Sequence, residues 1–306
     1  MHIPDGFLSP LVWIALDVVA VPAVGLMARR AHSELEDGRI PLLGVMGAFV
    51  FAAQMINFPV GVGSSGHLVG GTLLAVTLGP AAASLVMAAI VAIQALVFQD
   101  GGIMALGANI FNMAVAGVLA GYLPYRWWGG NGWRPAAIFA GGVLSVLTSA
   151  CLALTQLLLS GVPMPRLLLW MSLGIFLGNA LMEGAITVAA VGAIERLNPA
   201  WVRSRNDSGS RVLGVVAIAA VLLAVVGVLM ASAAPDGIAR LAAQLGIPAW
   251  APGWLHSPLA GYELHGFSSV WLRKAAAGLV GLALIFTACV TAGRLIARQR
   301  VKEGSA

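Results

Sequence analysis

Charge is scarce in this chain. Asp, Glu, Lys and Arg make up 9% of 306 residues, against 59% apolar residues. Soluble domains carry about 25% charged residues, so that class is excluded and a polytopic membrane protein is implied. Cysteine is nearly absent. Cys151 and Cys289 both fall inside apolar runs, form no CxxC pair and give no disulfide framework. Lysine is confined to Lys274 and Lys302, preceded by Arg273 and Val301. There is therefore no GxxxxGK(S/T) phosphate loop, and the chain is not expected to hydrolyse ATP itself. No basic stretch precedes the first apolar run and no clear cleavage site follows it, so no removed signal peptide is read. The basic excess lies in loops between apolar runs and does not point to nucleic acid.

What is there is a succession of apolar segments. Nine are predicted, over 8–28, 40–57, 68–79, 81–98, 103–123, 135–160, 167–194, 212–233 and 272–295. Each is judged against the ~20 residues that a helix needs to cross ~30 Å. The third is short, and its ~12 residues reach only ~18 Å. Gly70 and Gly71 at its start and Pro80 at its end mark it as broken or tilted. Such backbone is tolerated only inside protein or along a cavity, and in transporters it points to a binding site. Gly117–Gly121 and Gly174–Gly178 are GxxxG pairs that read as helix packing.

Thirteen of the 17 Lys and Arg residues fall in one set of loops. Only Arg166, Arg240, Arg273 and Lys274 fall in the other. The rich side reads as cytoplasmic, which places the N-terminus outside and the C-terminus inside. Residues 196–211 are polar and basic, a cytoplasmic linker by composition. They separate seven spans in 1–195 from two in 212–306, and the last two are joined by a long outer loop, 234–271. The fold class is all-α: a polytopic membrane helix bundle with a seven-helix core and two C-terminal transmembrane helices.

The first ten residues, MHIPDGFLSP, carry unusual chemistry for so short a head. The Met1 α-amine, the His2 backbone nitrogen and the His2 Nδ1 can close a five-membered and a six-membered chelate around one metal. Three nitrogens in a plane, one of them a deprotonated amide, suit Ni(II) or Cu(II), and low-spin Co(II), better than tetrahedral Zn(II). Pro4-Asp5-Gly6 is a turn that can fold this head back on the bundle. The plainer alternative is a frayed terminus with a chance histidine.

A fourth nitrogen is offered by His67, in FPVGVGSSGHLVGG at the start of the broken segment. The topology puts it on the same side as His2. Gly61, Gly63 and Gly66 are expected to give the inserted head its room. Around these lie polar residues in apolar surroundings: Ser64, Ser65, Gln94, Gln99, Asp100, Asn109 and Asn112, with Gln54 and Asn57 near the end of the second segment. They are candidates to orient the ligands, and ordinary inter-helix hydrogen bonding is the competing reading. Glu183 lies mid-span, where an ionised acid costs ~3 kcal/mol or more; it is expected to steady the head or a metal-linked proton. Asp17 raises the same question. His32 reads as a cytoplasmic loop residue, and His256 and His265 as outer-loop histidines. Pro235-Asp236-Gly237 echoes the head's turn but has no histidine before it, so it reads as reuse of turn chemistry.

Three separated stretches, MHIPDGFLSP, SSGHLVGG and QALVFQDGGIMALGANIFNM, resemble the NikM/CbiM family. These are the substrate-binding membrane components of nickel/cobalt energy-coupling factor transporters. The resemblance covers residues 1–195 and implies Met1, His2 and His67 as the metal ligands. Residues 212–306 resemble, less specifically, the two-span NikN/CbiN-type partner, with PDGI in place of the more usual PDGLE. It implies a non-enzymatic capture subunit for Ni2+ or Co2+ in the cell membrane. That subunit would be served by a transmembrane coupling subunit and two ABC-type ATPases and would carry no organic cofactor. The square of nitrogens favours nickel. Two rival readings remain. One is a secondary ion-coupled transporter using Glu183 or Asp17. The other is an intramembrane hydrolase using Ser64 or Ser65 with His67.

Overall fold

The computed structural model describes residues 2–34, 37–61, 63–130, 132–198, 210–232, 234–246 and 257–303. Ten helices follow in order: α1 (Pro10–Glu34), α2 (Ile40–Gln54), α3 (Gly71–Leu78), α4 (Pro80–Phe98), α5 (Leu106–Trp128), α6 (Arg134–Leu159), α7 (Arg166–Leu197), α8 (Ser210–Val225), α9 (Gly237–Leu245) and α10 (Val270–Glu303). Between α2 and α3 runs a small antiparallel hairpin, β1 (Phe58–Gly61) and β2 (Ser64–Gly66), pairing Phe58 with Gly66 and Pro59 with Ser65. The protein is an all-helical membrane bundle with this one hairpin among the described residues.

Among the described residues seven helices are long and apolar enough to cross a membrane. The expected second and third spans are shorter. The helix from Ile40 stops at Gln54, and the third segment holds helix only over the 8 residues Gly71–Leu78. At ~1.5 Å per residue α3 reaches about 12 Å. Its ends are set by backbone chemistry. Gly70 takes a left-handed φ of 80° before it, and Gly79 takes φ 88° after it, where Pro80 opens α4. Thr72, Leu73, Leu74 and Ala75 are all buried, so the broken segment lies inside protein, as unspanned backbone at this depth must.

α2 is buried nearly all round because α8 and α10 pack against it. α8 presents Val212, Val216, Ala220 and Ala224, a four-residue repeat, and α10 presents Leu282, Ile285 and Cys289. Trp271 Nε1 donates to the Val225 carbonyl at 2.7 Å and ties the two together. α1 is the opposite case. Leu11, Val18 and Val21 are 81%, 66% and 74% exposed, leaving this helix to lipid or another chain.

Two π-helical turns interrupt the bundle, Gln94–Phe98 at the end of α4 and Ile110–Gly117 inside α5. Such turns recur at functional sites because they re-aim the residues that follow. The first passes into Gln99, whose left-handed φ of 54° turns Asp100 back toward the head.

Of the two GxxxG pairs, Gly117–Gly121 lies against α6, facing Ser149 and Ser145, whereas nothing approaches Gly174 within 4 Å. The tight crossing of α6 and α7 is at Gly142 and Gly184 instead. A Cβ on Gly142 would stand 2.7 Å from Gly184 Cα and 2.8 Å from its nitrogen, and backbone cannot rotate aside. Gly142→Ala should therefore lower the unfolding midpoint in detergent by the equivalent of about 1–3 kcal/mol relative to Gly25→Ala, which gains the same helix propensity in open space. Equal midpoints for the two variants would contradict the crossing.

Candidate metal centre

Three contacts seat the head. Asp5 accepts from the backbone N–H groups of Ile103, Met104 and Ala105, at 3.0, 2.8 and 3.4 Å. The Ile3 N–H donates to Asn109 Oδ1 at 2.8 Å, and Asn109 Nδ2 donates back to the Ile3 carbonyl at 3.0 Å. The Gly102 N–H donates to the same carbonyl at 2.8 Å. His2 is thereby carried inside the bundle, 5% exposed. The room for it is made elsewhere than expected. Gly61 faces open space, Gly63 faces Arg240 and Gly66 faces Asn179. It is Gly101 and Gly102 that the head lies on: a Cβ on Gly101 would stand 3.0 Å from His2 Cβ, and one on Gly102 would stand 2.6 Å from Asp5 N.

His67 arrives from the other side. Glu183 of α7 accepts from the Val69 N–H at 2.6 Å and from the Gly70 N–H at 2.8 Å, one bond to each carboxylate oxygen. Glu183 therefore anchors the His67 segment and the start of α3, not the head. Gln54 Nε2 donates to the Val69 carbonyl at 2.7 Å, and Gln94 Nε2 donates to Gln54 Oε1 at 2.8 Å. Asp17 does the same kind of work at α5, where its carboxylate takes the Gly107 N–H at 2.8 Å.

The two imidazoles end 6.0 Å apart, centroid to centroid, with their planes 7° from parallel. His67 Nδ1 donates to the Leu68 carbonyl at 2.9 Å, which fixes the tautomer and leaves the lone pair on Nε2. Burial above all pushes the His67 ring down to about 4 from 6.5. The ring is therefore neutral at neutral pH. The stability that goes with it is present above about 6.5 and is lost as pH falls towards 4. His2 Nδ1 and Nε2 are both buried without a hydrogen-bond partner. The Asp100 carboxylate stands 3.3 Å from Nδ1, at ion-pair distance but not aligned as a hydrogen bond. Buried ring nitrogens in this state fit a ligand that accepts lone pairs. Among the described residues no cluster of three or more His, Cys, Asp or Glu side chains forms a cage. Met1, the expected amine donor, lies outside the described residues.

Other candidates are placed as follows. Gln99 lines the cavity beside His2 and His67. Asn112 does not join it: its side chain pairs with Gln156 of α6 through two hydrogen bonds of 2.8 and 2.7 Å. Ser64 and Ser65 hydroxyls donate to the carbonyls of Pro235 and Ala234, at 3.2 and 2.6 Å, which leaves neither a proton to hand to a base. His265 is exposed, His32 Nδ1 meets the Ile296 carbonyl at 2.8 Å, and His256 lies outside the described residues.

The Pro235-Asp236-Gly237 echo has a role beyond turn chemistry. The Ser65 N–H donates to the Pro235 carbonyl at 2.9 Å, and Asp236 forms a parallel bridge with Ser65. The described residues after α8 thus meet β2 through an isolated backbone bridge, two residues from His67. The 3-10 turn Ala260–Tyr262 closes over the same place. Together they bound a cavity of about 640 Å3 lined by His2, His67, Asp100, Asp236, Tyr262 and Lys274. Sequence reasoning missed Tyr262 and Lys274; the repeated Pro-Asp-Gly pointed to the C-terminal part but to neither residue.

Similarity to known proteins agrees in kind. Residues 2–201 match the family described as "Cobalt uptake substrate-specific transmembrane region", and residues 210–298 match the PDGLE domain. A fused NikMN protein of Archaeoglobus fulgidus is 37% identical over 229 residues, 71% of this chain and 73% of that one. The cobalt transport protein CbiM of Ruminiclostridium cellulolyticum is 35% identical over 162 residues, 50% of this chain and 65% of that one. A crystal structure of a transition metal transporter superposes with TM-score 0.59 at 30% identity, covering 67% of this chain and 98% of its own.

The Glu183 anchor gives a direct test. Glu183→Ala strands two buried N–H groups, at about 1–3 kcal/mol each. Thermal unfolding of the metal-free protein in detergent should show a clear drop, and an unchanged midpoint would remove Glu183 from this role.

Proposed function

Since the chain belongs to the family of cobalt uptake substrate-specific transmembrane regions and carries a PDGLE domain after it, we propose that it captures a divalent transition metal for an ATP-driven energy-coupling factor importer. At the coarser level it is a multi-pass membrane component of nickel or cobalt transport. The observation that carries the finer reading is the pair of buried, near-parallel imidazoles, one of them with neither ring nitrogen in a hydrogen bond.

The ion is held by the Met1 amine, the His2 backbone nitrogen, the His2 ring and the His67 ring. Four nitrogens with a deprotonated amide favour Ni(II) over Co(II). Asp5, Asn109 and Glu183 orient these groups, and Asp100 lies beside them. The N-terminal side faces outward, so metal arrives from outside. Residues 1–195 form the capture core, 196–211 the cytoplasmic linker and 212–306 the fused partner domain. A coupling subunit and two ABC-type ATPases supply the energy, because this chain has no phosphate loop.

The rival, ion-coupled transport through Glu183 or Asp17, needs a carboxylate that is free to exchange protons. Both carboxylates are held by backbone N–H groups instead. Radiolabelled nickel uptake in cells separates the two. Uptake should require active ATPases and the coupling subunit, and should survive collapse of the proton gradient while ATP is maintained. Uptake that ignores ATPase loss and fails with the gradient would overturn the proposal.

A further inference from the structure

Among the described residues only two non-glycine positions have positive φ: Gln99 at 54° and Tyr262 at 60°. They come from different parts of the chain, and they flank one hydrogen bond. The Tyr262 hydroxyl donates to Asp100 Oδ2 at 2.6 Å, while Asp100 Oδ1 faces His2 Nδ1 at 3.3 Å. Sparsely populated backbone on both sides of one contact is held only where its surroundings over-determine it, and such positions gather at functional sites.

The surroundings do so here. The Tyr262 ring stacks on Phe98 at 4.8 Å and 15°, and lies 6.2 Å from Phe51. Phe98 ends the π-helical turn of α4, and the Asp100 N–H donates to the Gln94 carbonyl at 2.9 Å, closing the chain over that turn. The ring is fixed by packing and the hydroxyl is placed by the ring. The hydroxyl has one proton to give, and it gives it to the carboxylate oxygen turned away from His2.

From this geometry we infer that Tyr262 is a positioning residue of the metal site, contributed by the C-terminal part, which acts through Asp100 on His2. The inference rests on the metal reading above. A divalent ion bound to a deprotonated amide and three neutral nitrogens keeps one net positive charge. A carboxylate at the His2 ring balances it, provided that one oxygen is held toward the ring. Asp100 stands beside Nδ1, the ring nitrogen assigned to the metal, so it acts on the site as a held counter-charge and not through the ring's other nitrogen. Outer-shell partners of metal ligands affect affinity by about 10–100-fold.

The test uses the full chain, beginning at Met1, with Ni(II) as the probe and competition against a chelator as the readout. Tyr262→Phe keeps the stacked ring and removes only the hydroxyl. It should weaken Ni(II) binding by about 10-fold or more, while the metal-free protein stays folded with its unfolding midpoint lowered only by the loss of one hydrogen bond. Asp100→Asn should weaken binding at least as much. The double variant should be no weaker than Asp100→Asn alone, as expected when one residue acts through the other. The ligand-field absorption band of the nickel-loaded protein should move in the same direction in both single variants, which a purely structural role would not cause. Wild-type affinity in Tyr262→Phe, or penalties that add in the double variant, would overturn the inference. His67→Ala run in parallel separates the two claims. If it binds nickel normally while Tyr262→Phe still acts through Asp100, the ligand set is wrong and the link stands. If it loses nickel and Tyr262→Phe changes nothing, the link is wrong and the ligand set stands.

Discussion

Everything at the metal end depends on where the first turn of the chain is held. The segment ahead of α1 buries Ile3, Phe7 and Leu8 in the core, and apolar contacts alone do not set its register. Its register is set because the Asp5 carboxylate takes three consecutive backbone N–H groups, from Ile103 to Ala105, at the mouth of α5. Hydrogen bonds to a charged acceptor are each worth about 1.5–3 kcal/mol. The Ile3–Asn109 pair and the Gly102 N–H complete the attachment. His2 lies between these two anchors, so its position follows from theirs.

His67 is placed by an independent device of the same kind. Glu183 accepts from Val69 and Gly70, where the chain turns into the short helix α3. In both cases a buried carboxylate is satisfied by backbone donors that no helix can use, and in both the held segment carries an imidazole. The broken third span supplies those donors. A continuous helix would have consumed the Val69 and Gly70 N–H groups internally. The C-terminal part then adds to this end of the bundle through backbone pairing with Ser65 and through Tyr262. Its helices are fixed to α2 by side-chain packing and the Trp271 contact.

Much of this was legible in the sequence, and the reasons are specific. Apolar length located the seven helices that are long enough to cross a membrane among the described residues, because lipid imposes a simple length rule. The shortness of the third span and its glycine and proline bounds marked the broken helix. His2 and His67 stood out because each lies in a turn-rich stretch on one side of the membrane. Partner assignment was harder, since residue type alone does not say which of several polar groups meet. Asn112 has the same character as Asn109 but faces Gln156 across a helix pair. The glycines nearest His67 seemed the natural space for the head, yet the head lies on Gly101 and Gly102, 98 residues or so away in sequence from it and adjacent only in the fold. Tyr262 carried no local signal at all, because its partner is set by the docking of a separate part of the chain.

The central claim is that the start of this chain is itself the chelate. The most direct measurement compares Ni(II) binding by the purified chain beginning at Met1 with binding by the same chain carrying one residue ahead of Met1. The addition moves the amine out of chelate reach and leaves His2, His67 and Asp5 in place. The account predicts that high-affinity binding is lost, together with the absorption of a planar nitrogen-bound nickel ion. Binding that survives with unchanged affinity would contradict it, and the donors would then have to be sought among His67 and the other groups that line the cavity.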